Sequence, residues 1–315
     1  MARQWLAQVA QGVDPAEASD RDVVTVADLS ERYMTQHARV KKKARSIRSD
    51  EQSWRLRILP RLGTYVVADV TRADIVQLHY ALRDTPFAAN RALQLLSKMF
   101  NLAEQWELIP YGTNPVRHIE KYKEEGRERY LSPGEVQRLH EVLDEAERTP
   151  REPLSQVHAI RLLIYTGARL SEILTLKWDF LDLENGLAHL PDSKTGARPL
   201  YLPEPAVALI PGIQPKRGNP YVLVGKSARG TIGDLYKPWY RLRKQAGLHD
   251  VRLHDLRHSF ASFGVGMGMS LPMIGKLLGH QTMNTTQRYA HLAHDPMREA
   301  AEQIGAMVRN DPKER

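Results

Sequence analysis

The sequence predicts a mainly α protein in two parts: an all-helical N-terminal domain, then a mainly helical domain holding one small antiparallel β-sheet. Three observations carry that prediction. Apolar residues recur at helical spacing through most of the chain. The pattern changes to short alternating runs only in "GLAHLPDSKTGARPLYLP", residues 186–203, which reads as a β-hairpin around Ser193, Lys194, Thr195 and Gly196. A polar run, "EKYKEEGRER" (residues 120–129), has almost no apolar content and reads as an interdomain linker.

Residues 1–22 hold one short amphipathic stretch and then "GVDPAEASDRD", a linker-like composition or the remnant of a preceding domain. Val26, Leu29 and Tyr33 open the first helical pattern. The next stretch, residues 39–63, carries Lys41, Lys42, Lys43, Arg45, Arg48, Arg55, Arg57 and Arg61 interleaved with Trp54, Leu56 and Ile58. A run of this kind is more often a solvated face than a site. Interleaving with apolar residues gives a packed helix with one cationic side, which is what contact with a phosphate backbone needs. Thr71 and Asp74 form a capping pattern ahead of Ile75, Leu78 and Leu82. A longer helix over residues 88–106 is closed by "IPYGTNPV". The expected organisation is a helical domain over 23–116, a linker over 117–129 and a second domain over 130–315. The second domain starts with Ser132 and Glu135 as a capping box. Helical patterns follow through residue 178 and return from Thr231 onward, with Gly264, Gly266, Gly268, Gly275 and Gly279 crowding the stretch before His280.

Composition narrows the chemistry. Lysine and arginine number 45 against 37 acidic residues, a net +8 in 315 residues, which mildly favours a polyanionic partner. With no cysteine, disulfides, thiol catalysis and sulfur-rich zinc sites are excluded, and His, Asp and Glu are the only candidate metal ligands. No apolar run approaches the roughly 20 residues of a membrane span, and the N-terminus lacks a signal-peptide pattern. A cytoplasmic protein with no membrane association is expected, and Asn284-Thr-Thr is then not a glycosylation site.

Several segments combine positive charge with tight local structure. In "TGARLSE", Gly167 ends one helix and Arg169 stands in the first turn of the next, where free N–H groups favour an anion. Taken alone, Arg169 reads as half of a surface salt bridge with Glu172. "LHDLRHSFAS" sets His254 and Arg257 on one helix face, with His258 one turn on from His254 and Leu256 and Phe260 packing inward. The rival is zinc, because His-Asp-x-x-His mimics a metalloprotease pattern. Asp255 is shorter than the required glutamate, and Arg257 would repel the ion. "GVGMGMS" follows a helical pattern and lacks the dinucleotide spacing. Carboxylates for two-metal chemistry have no comparably structured motif, so neither metal nor cofactor is expected.

What remains is a set of cations around one tyrosine: Arg169, Lys194, His254, Arg257, His280 and Tyr289. Metal-free phosphoryl transfer needs such a set, because charge gathers on the non-bridging oxygens of a pentacoordinate phosphate and arginines can stabilise it. A tyrosine of pKa about 10 must lose its proton as it attacks. The leaving oxygen must gain one, and a lysine on a hairpin tip could supply it. A phosphotyrosine bond conserves the energy of the broken diester.

Taken in order, "TGARLSE", "SKTG", "HDLRH", "LLGH" and "TTQRYAHL" resemble the motifs of the tyrosine recombinases, the phage integrase family. The resemblance covers residues 23 to about 295, and five motifs in order are specific where one is weak. It implies that Arg169 and Arg257 clamp the scissile phosphate, with His280 bonding the same oxygens. Lys194 would protonate the leaving 5′-oxygen, His254 would exchange a proton with Tyr289, and Glu172 and His258 would support the site. It also implies a double-stranded DNA attachment site gripped by two domains, a homotetramer on DNA joined through a C-terminal helix, and DNA-bending accessory proteins. Met297, Ala301, Ile304 and Val308 lie at helical spacing for that helix, with packing on its own domain as the alternative. The start of the chain departs from the pattern, looking like the tail of an arm-binding domain without its body.

The expected function is therefore site-specific integration or excision of a phage or genomic island. Alternatives within strand transfer are chromosome dimer resolution and topoisomerase activity. A non-catalytic DNA-binding protein on the same fold has no need for Tyr289, Lys194 and both arginines together.

Overall fold

The computed structural model describes residues 23–124, 126–149, 152–191, 196–225 and 230–292, together with 301, 304, 305 and 308. The expectations for residues 1–22, for Lys194 and for Met297 lie outside these described residues. The chain divides into two compact units between Gly126 and Arg127.

The first unit is helical. Helix α1 (Val26–Tyr33) starts at Thr25, which forms a capping box with Asp28. It runs through a π-helical turn, Met34–Ala38, to Arg39–Lys41. Helix α2 (Ala44–Ser53) likewise passes through a π-helical turn, Trp54–Ile58, into Leu59–Leu62. The box expected at Thr71 and Asp74 opens α3 (Arg72–Ala81), and α4 (Pro86–Gln105) buries Leu96, Met99 and Phe100. Val26, Leu29, Tyr33, Ile58 and Ile75 meet these residues in one core. Leu56, expected within the packed face, is instead 52% exposed: two residues from both Trp54 and Ile58, it falls on the opposite side of the helix, while Ile58, four residues after Trp54, faces the core.

The stretch expected as a linker is fastened at both ends. The Tyr122 ring stacks on His79 at 4.1 Å. Buried Asn90 donates to the Tyr122 carbonyl at 2.8 Å and accepts from its N–H at 3.0 Å, all within the first unit. In the second unit, Arg129 binds Glu135 at 2.6 Å and Asp250 at 2.7 Å.

That unit begins with α5 (Pro133–Arg148), capped by Ser132 and Glu135 as expected, followed by α6 (Leu154–Thr166) and the short α7 (Leu170–Leu174). The expected hairpin is present as β2 (Leu187–Leu190) and β3 (Arg198–Tyr201), antiparallel with Ala188 opposite Leu200 and Leu190 opposite Arg198. A further strand, β1 (Leu181–Asp182), pairs with β2. Helices α8 (Glu204–Leu209), α9 (Tyr236–Gln245), α10 (Leu253–Gly266), α11 (Leu271–Leu278) and α12 (Met283–Gln287) follow. Ile160, Ile173, Leu200, Ile210 and Leu248 belong to the main core. A smaller cluster of Ala261, Val265, Ile274 and Leu278 closes around Tyr289. Leu256 packs inward as expected, while Phe260 is half-buried against the smaller cluster. Ala301, Ile304 and Val308 are exposed.

Candidate active site

Arg169 is placed by a glycine turn. Gly167 caps the end of α6 with φ 59°, in the left-handed region, and a Cβ there would lie 2.6 Å from the Phe260 ring. Both constraints require glycine. The chain then turns so that Arg169 is the N-cap of α7, one step before the first turn in which it was expected. Its backbone N–H donates to Glu172 Oε2 at 2.8 Å and its Nη1 to Oε1 at 2.9 Å. This pair is not a surface salt bridge, since Glu172 is buried, and Arg169 Nη2 also reaches the Gly279 carbonyl at 2.8 Å. Burial works to raise the Glu172 pKa, but hydrogen bonds from Arg198 and Arg169 outweigh it and hold the carboxyl below its usual range.

Arg257 projects from α10 and is 4% exposed. Its Nη1 donates to the Gly167 carbonyl at 2.8 Å and its Nη2 to the Leu278 carbonyl at 2.7 Å. Those carbonyls close the C-terminal ends of α6 and α11, where helix dipoles favour a cation. Burial, with Arg169 beside it, lowers the Arg257 pKa to about 10. Among the described residues its hydrogen bonds all end on backbone, so its charge is oriented without being neutralised by a partner of its own.

His280 follows Gly279, whose φ of 66° ends α11. Its Nδ1 meets Thr286 Oγ1 at 2.8 Å, and Thr286 is itself buried. Burial, then Arg257 and Arg169, lowers the His280 pKa to about 4, so the ring is neutral at physiological pH.

Tyr289 is 1% exposed. Its hydroxyl lies 2.6 Å from Nδ1 of His258. Burial raises the phenol pKa, against Arg257 and Arg288, which lower it. The same burial, then His254, lowers His258 to about 4. His254, expected to exchange a proton with Tyr289, is exposed and meets the edge of the His258 ring, centroids 4.8 Å apart. It is His258 Nδ1 that meets the phenol, because the next helical turn after His254 faces the Tyr289 cluster. Asp255, which the zinc reading would use as a base, is buried, accepts from the Arg252 N–H at 2.8 Å and turns toward the start of its helix.

Sequence reasoning missed Arg198. From β3 it grips Glu172 through Nη2 at 2.8 Å and Nε at 3.2 Å, and its Nη1 reaches the Leu277 carbonyl at 3.3 Å. A usable signal was strand alternation, which puts Arg198 on the same face as buried Leu200. Lys194 lies outside the described residues. In the first unit, Lys41, Lys43, Arg45, Arg48 and Arg55 are exposed, whereas Lys42 is half-buried on Asp50 at 2.6 Å, an oxygen that also accepts from Tyr33 at 2.6 Å.

The phage integrase family model matches residues 129–295, more than half of the chain. The chain belongs to the phage integrase family. The matched span takes in Arg169, Arg198, Arg257, His280 and Tyr289. A shufflon-specific DNA recombinase of Escherichia coli is 33% identical over 205 residues, covering 64% of this chain and 50% of that protein. The integrase of Salmonella phage P22 is 29% identical over 233 residues, 68% of this chain and 56% of that protein. The chain thus spans about half the length of the relatives it matches. A lambda integrase tetramer bound to a Holliday junction superposes with a TM-score of 0.69 at 20% identity, over 85% of this chain and 82% of that one, a likeness of fold.

Proposed function

We propose that this phage integrase family member is a site-specific DNA recombinase that cleaves and rejoins strands through a 3′-phosphotyrosine. The observation that carries this is two arginines set side by side, with buried Arg257 held on two helix-end carbonyls, in the site where His280 and Tyr289 also stand. Such a site is prepared for an anion before one arrives, which is how a metal-free centre stabilises phosphoryl transfer.

In the proposed step, Tyr289 Oη attacks phosphorus and the P–O5′ bond breaks. The phenolic proton passes to His258 Nδ1, and Lys194 gives a proton to the leaving O5′. Arg169 and Arg257 hold the non-bridging oxygens, with His280 a neutral donor to the same group. Lys41, Lys43, Arg45, Arg48 and Arg55 would contact the DNA backbone, and Lys42 would contribute less because Asp50 holds it. Exposed Ala301, Ile304 and Val308 support a C-terminal helix that docks on a neighbouring protomer of a tetramer. DNA-bending accessory proteins and a cytoplasmic site of action belong to the same proposal. Integration or excision of a phage or genomic island is supported by the likeness to a phage integrase.

The test is a nicked suicide duplex bearing the attachment-site core, in EDTA, with Tyr289→Phe alongside. A covalent adduct that requires Tyr289 and tolerates EDTA is expected. DNA binding without an adduct would withdraw the mechanism in favour of a binding protein. Relaxation of supercoiled DNA without strand exchange would instead place the chain among topoisomerases.

A further inference from the structure

Three successive carbonyls at the end of α11 each accept from a different arginine: Leu277 from Arg198, Leu278 from Arg257 and Gly279 from Arg169. Two of these arginines are expected at the phosphate. The third comes from the strand just after the hairpin tip, and its donors are engaged elsewhere. Arg198 Nε and Nη2 are on Glu172, and Nη1 is on the Leu277 and Pro199 carbonyls.

The Glu172 carboxylate is shared evenly. Oε1 accepts from Arg169 Nη1 at 2.9 Å and from Arg198 Nε at 3.2 Å. Oε2 accepts from the Arg169 N–H at 2.8 Å and from Arg198 Nη2 at 2.8 Å. With four donors on two oxygens, the carboxylate plane is fixed. Arg169 can therefore use only one guanidinium nitrogen on it, while its Nη2 turns to Gly279. Packing enforces the same arrangement, because a Cβ at Gly279 would lie 2.4 Å from Arg198 Cδ and 2.5 Å from its Nε.

We propose that Arg198 is a positioning residue for strand cleavage: by occupying Glu172 from the far side, it sets the direction in which Arg169 presents its guanidinium to the scissile phosphate. The inference rests on the reading of this site as a phosphodiester-cleaving centre. Without Arg198, Glu172 is free to rotate and take Arg169 end-on in a bidentate pair, drawing it away from the phosphate. The expected signature is slower chemistry with unchanged DNA affinity.

The experiment compares single-turnover cleavage by wild type, Arg198→Ala, Arg198→Lys and Lys194→Ala on two suicide substrates, one natural and one with sulfur replacing the bridging O5′. Sulfur leaves without needing a proton, so it relieves loss of a general acid but not loss of phosphate orientation. Arg198→Ala is expected to cleave the natural substrate about 10²-fold more slowly, the scale of a misplaced catalytic group, and to stay slow on the sulfur substrate, where Lys194→Ala recovers. Arg198→Lys, which keeps the charge but cannot grip both oxygens, should fall between and carries the test if the alanine variant does not fold. Cleavage of the natural substrate at the wild-type rate by the Arg198 variants, or their full recovery on sulfur, overturns the inference while the phosphotyrosine reading stands. Absence of any adduct with wild type on both substrates overturns both.

Discussion

In the first unit Lys41, Lys43, Arg45, Arg48 and Arg55 stand in solvent, on two successive helices and the extended turn between them. In the second, Arg169, Arg198 and Arg257 are drawn inside and seated on the ends of helices and on one buried carboxylate. The exposed cations keep their hydration and their rotamer freedom, so they can offer salt-sensitive attraction and little geometry. The seated cations have already given up both, and folding compensated them with Gly167, Leu278, Gly279 and Glu172. An anion entering there meets charge that need not reorganise. Net charge alone would rank the two regions alike; the acceptors behind each guanidinium separate them.

The sharpest way to break this comparison is Arg257→Lys. An ammonium cannot span the Gly167 and Leu278 carbonyls, so single-turnover cleavage should fall by about 10²–10³-fold, the scale for removing one transition-state donor. DNA affinity by filter binding should barely change. Changing Lys41, Lys43 and Arg48 together to alanine should do the reverse. The slope of log affinity against log salt becomes shallower by about 0.9 for each phosphate that is no longer neutralised, while cleavage at saturating protein is retained. Equal reductions of cleavage in the two variants would erase the distinction.

A third test uses the histidines that burial keeps neutral. His258 and His280 sit at about 4 in the folded protein against 6.5 for the free group. Between those values the unfolded chain binds more protons, so stability rises with pH. It is at its full value above about 6.5 and is lost as pH falls toward about 4. The thermal midpoint should drop through that window, and His258→Asn should flatten the fall. The smallest effect is expected at Lys42→Met, where removal of the Asp50 pair should cost less than about 1 kcal/mol in denaturant unfolding. Its salt slope should change less than that of Lys41→Ala.

The legible parts of this fold were those written within one helical turn or one hairpin. Thr71 with Asp74 and Ser132 with Glu135 mark helix starts three residues apart, and the structure has both boxes. The alternation around Gly196 marked the hairpin, but β1 is two residues long and offers no period to read. The site was legible as a set of residue types in order. Their pairing was not, because it depends on helix rotation and on the meeting of distant segments. His254 and His258 are one turn apart on α10, and only the packing of Tyr289 shows which of the two rings meets the phenol. Arg198 joins Glu172, 26 residues away, and Leu277, 79 residues away, so neither link leaves a local trace. The Arg169 and Glu172 spacing looked like a surface pair, because spacing carries no information on burial.

The burial of Tyr289 also gives the phenol a chemical signature. Reagents that nitrate or iodinate tyrosine attack the exposed phenolate, and this ring offers almost no surface and an acidity weakened by its surroundings. Tyr111, 90% exposed, serves as an internal standard in the same chain. The ratio of labelling at the two rings reports, without any cleavable DNA, when Tyr289 leaves its pocket.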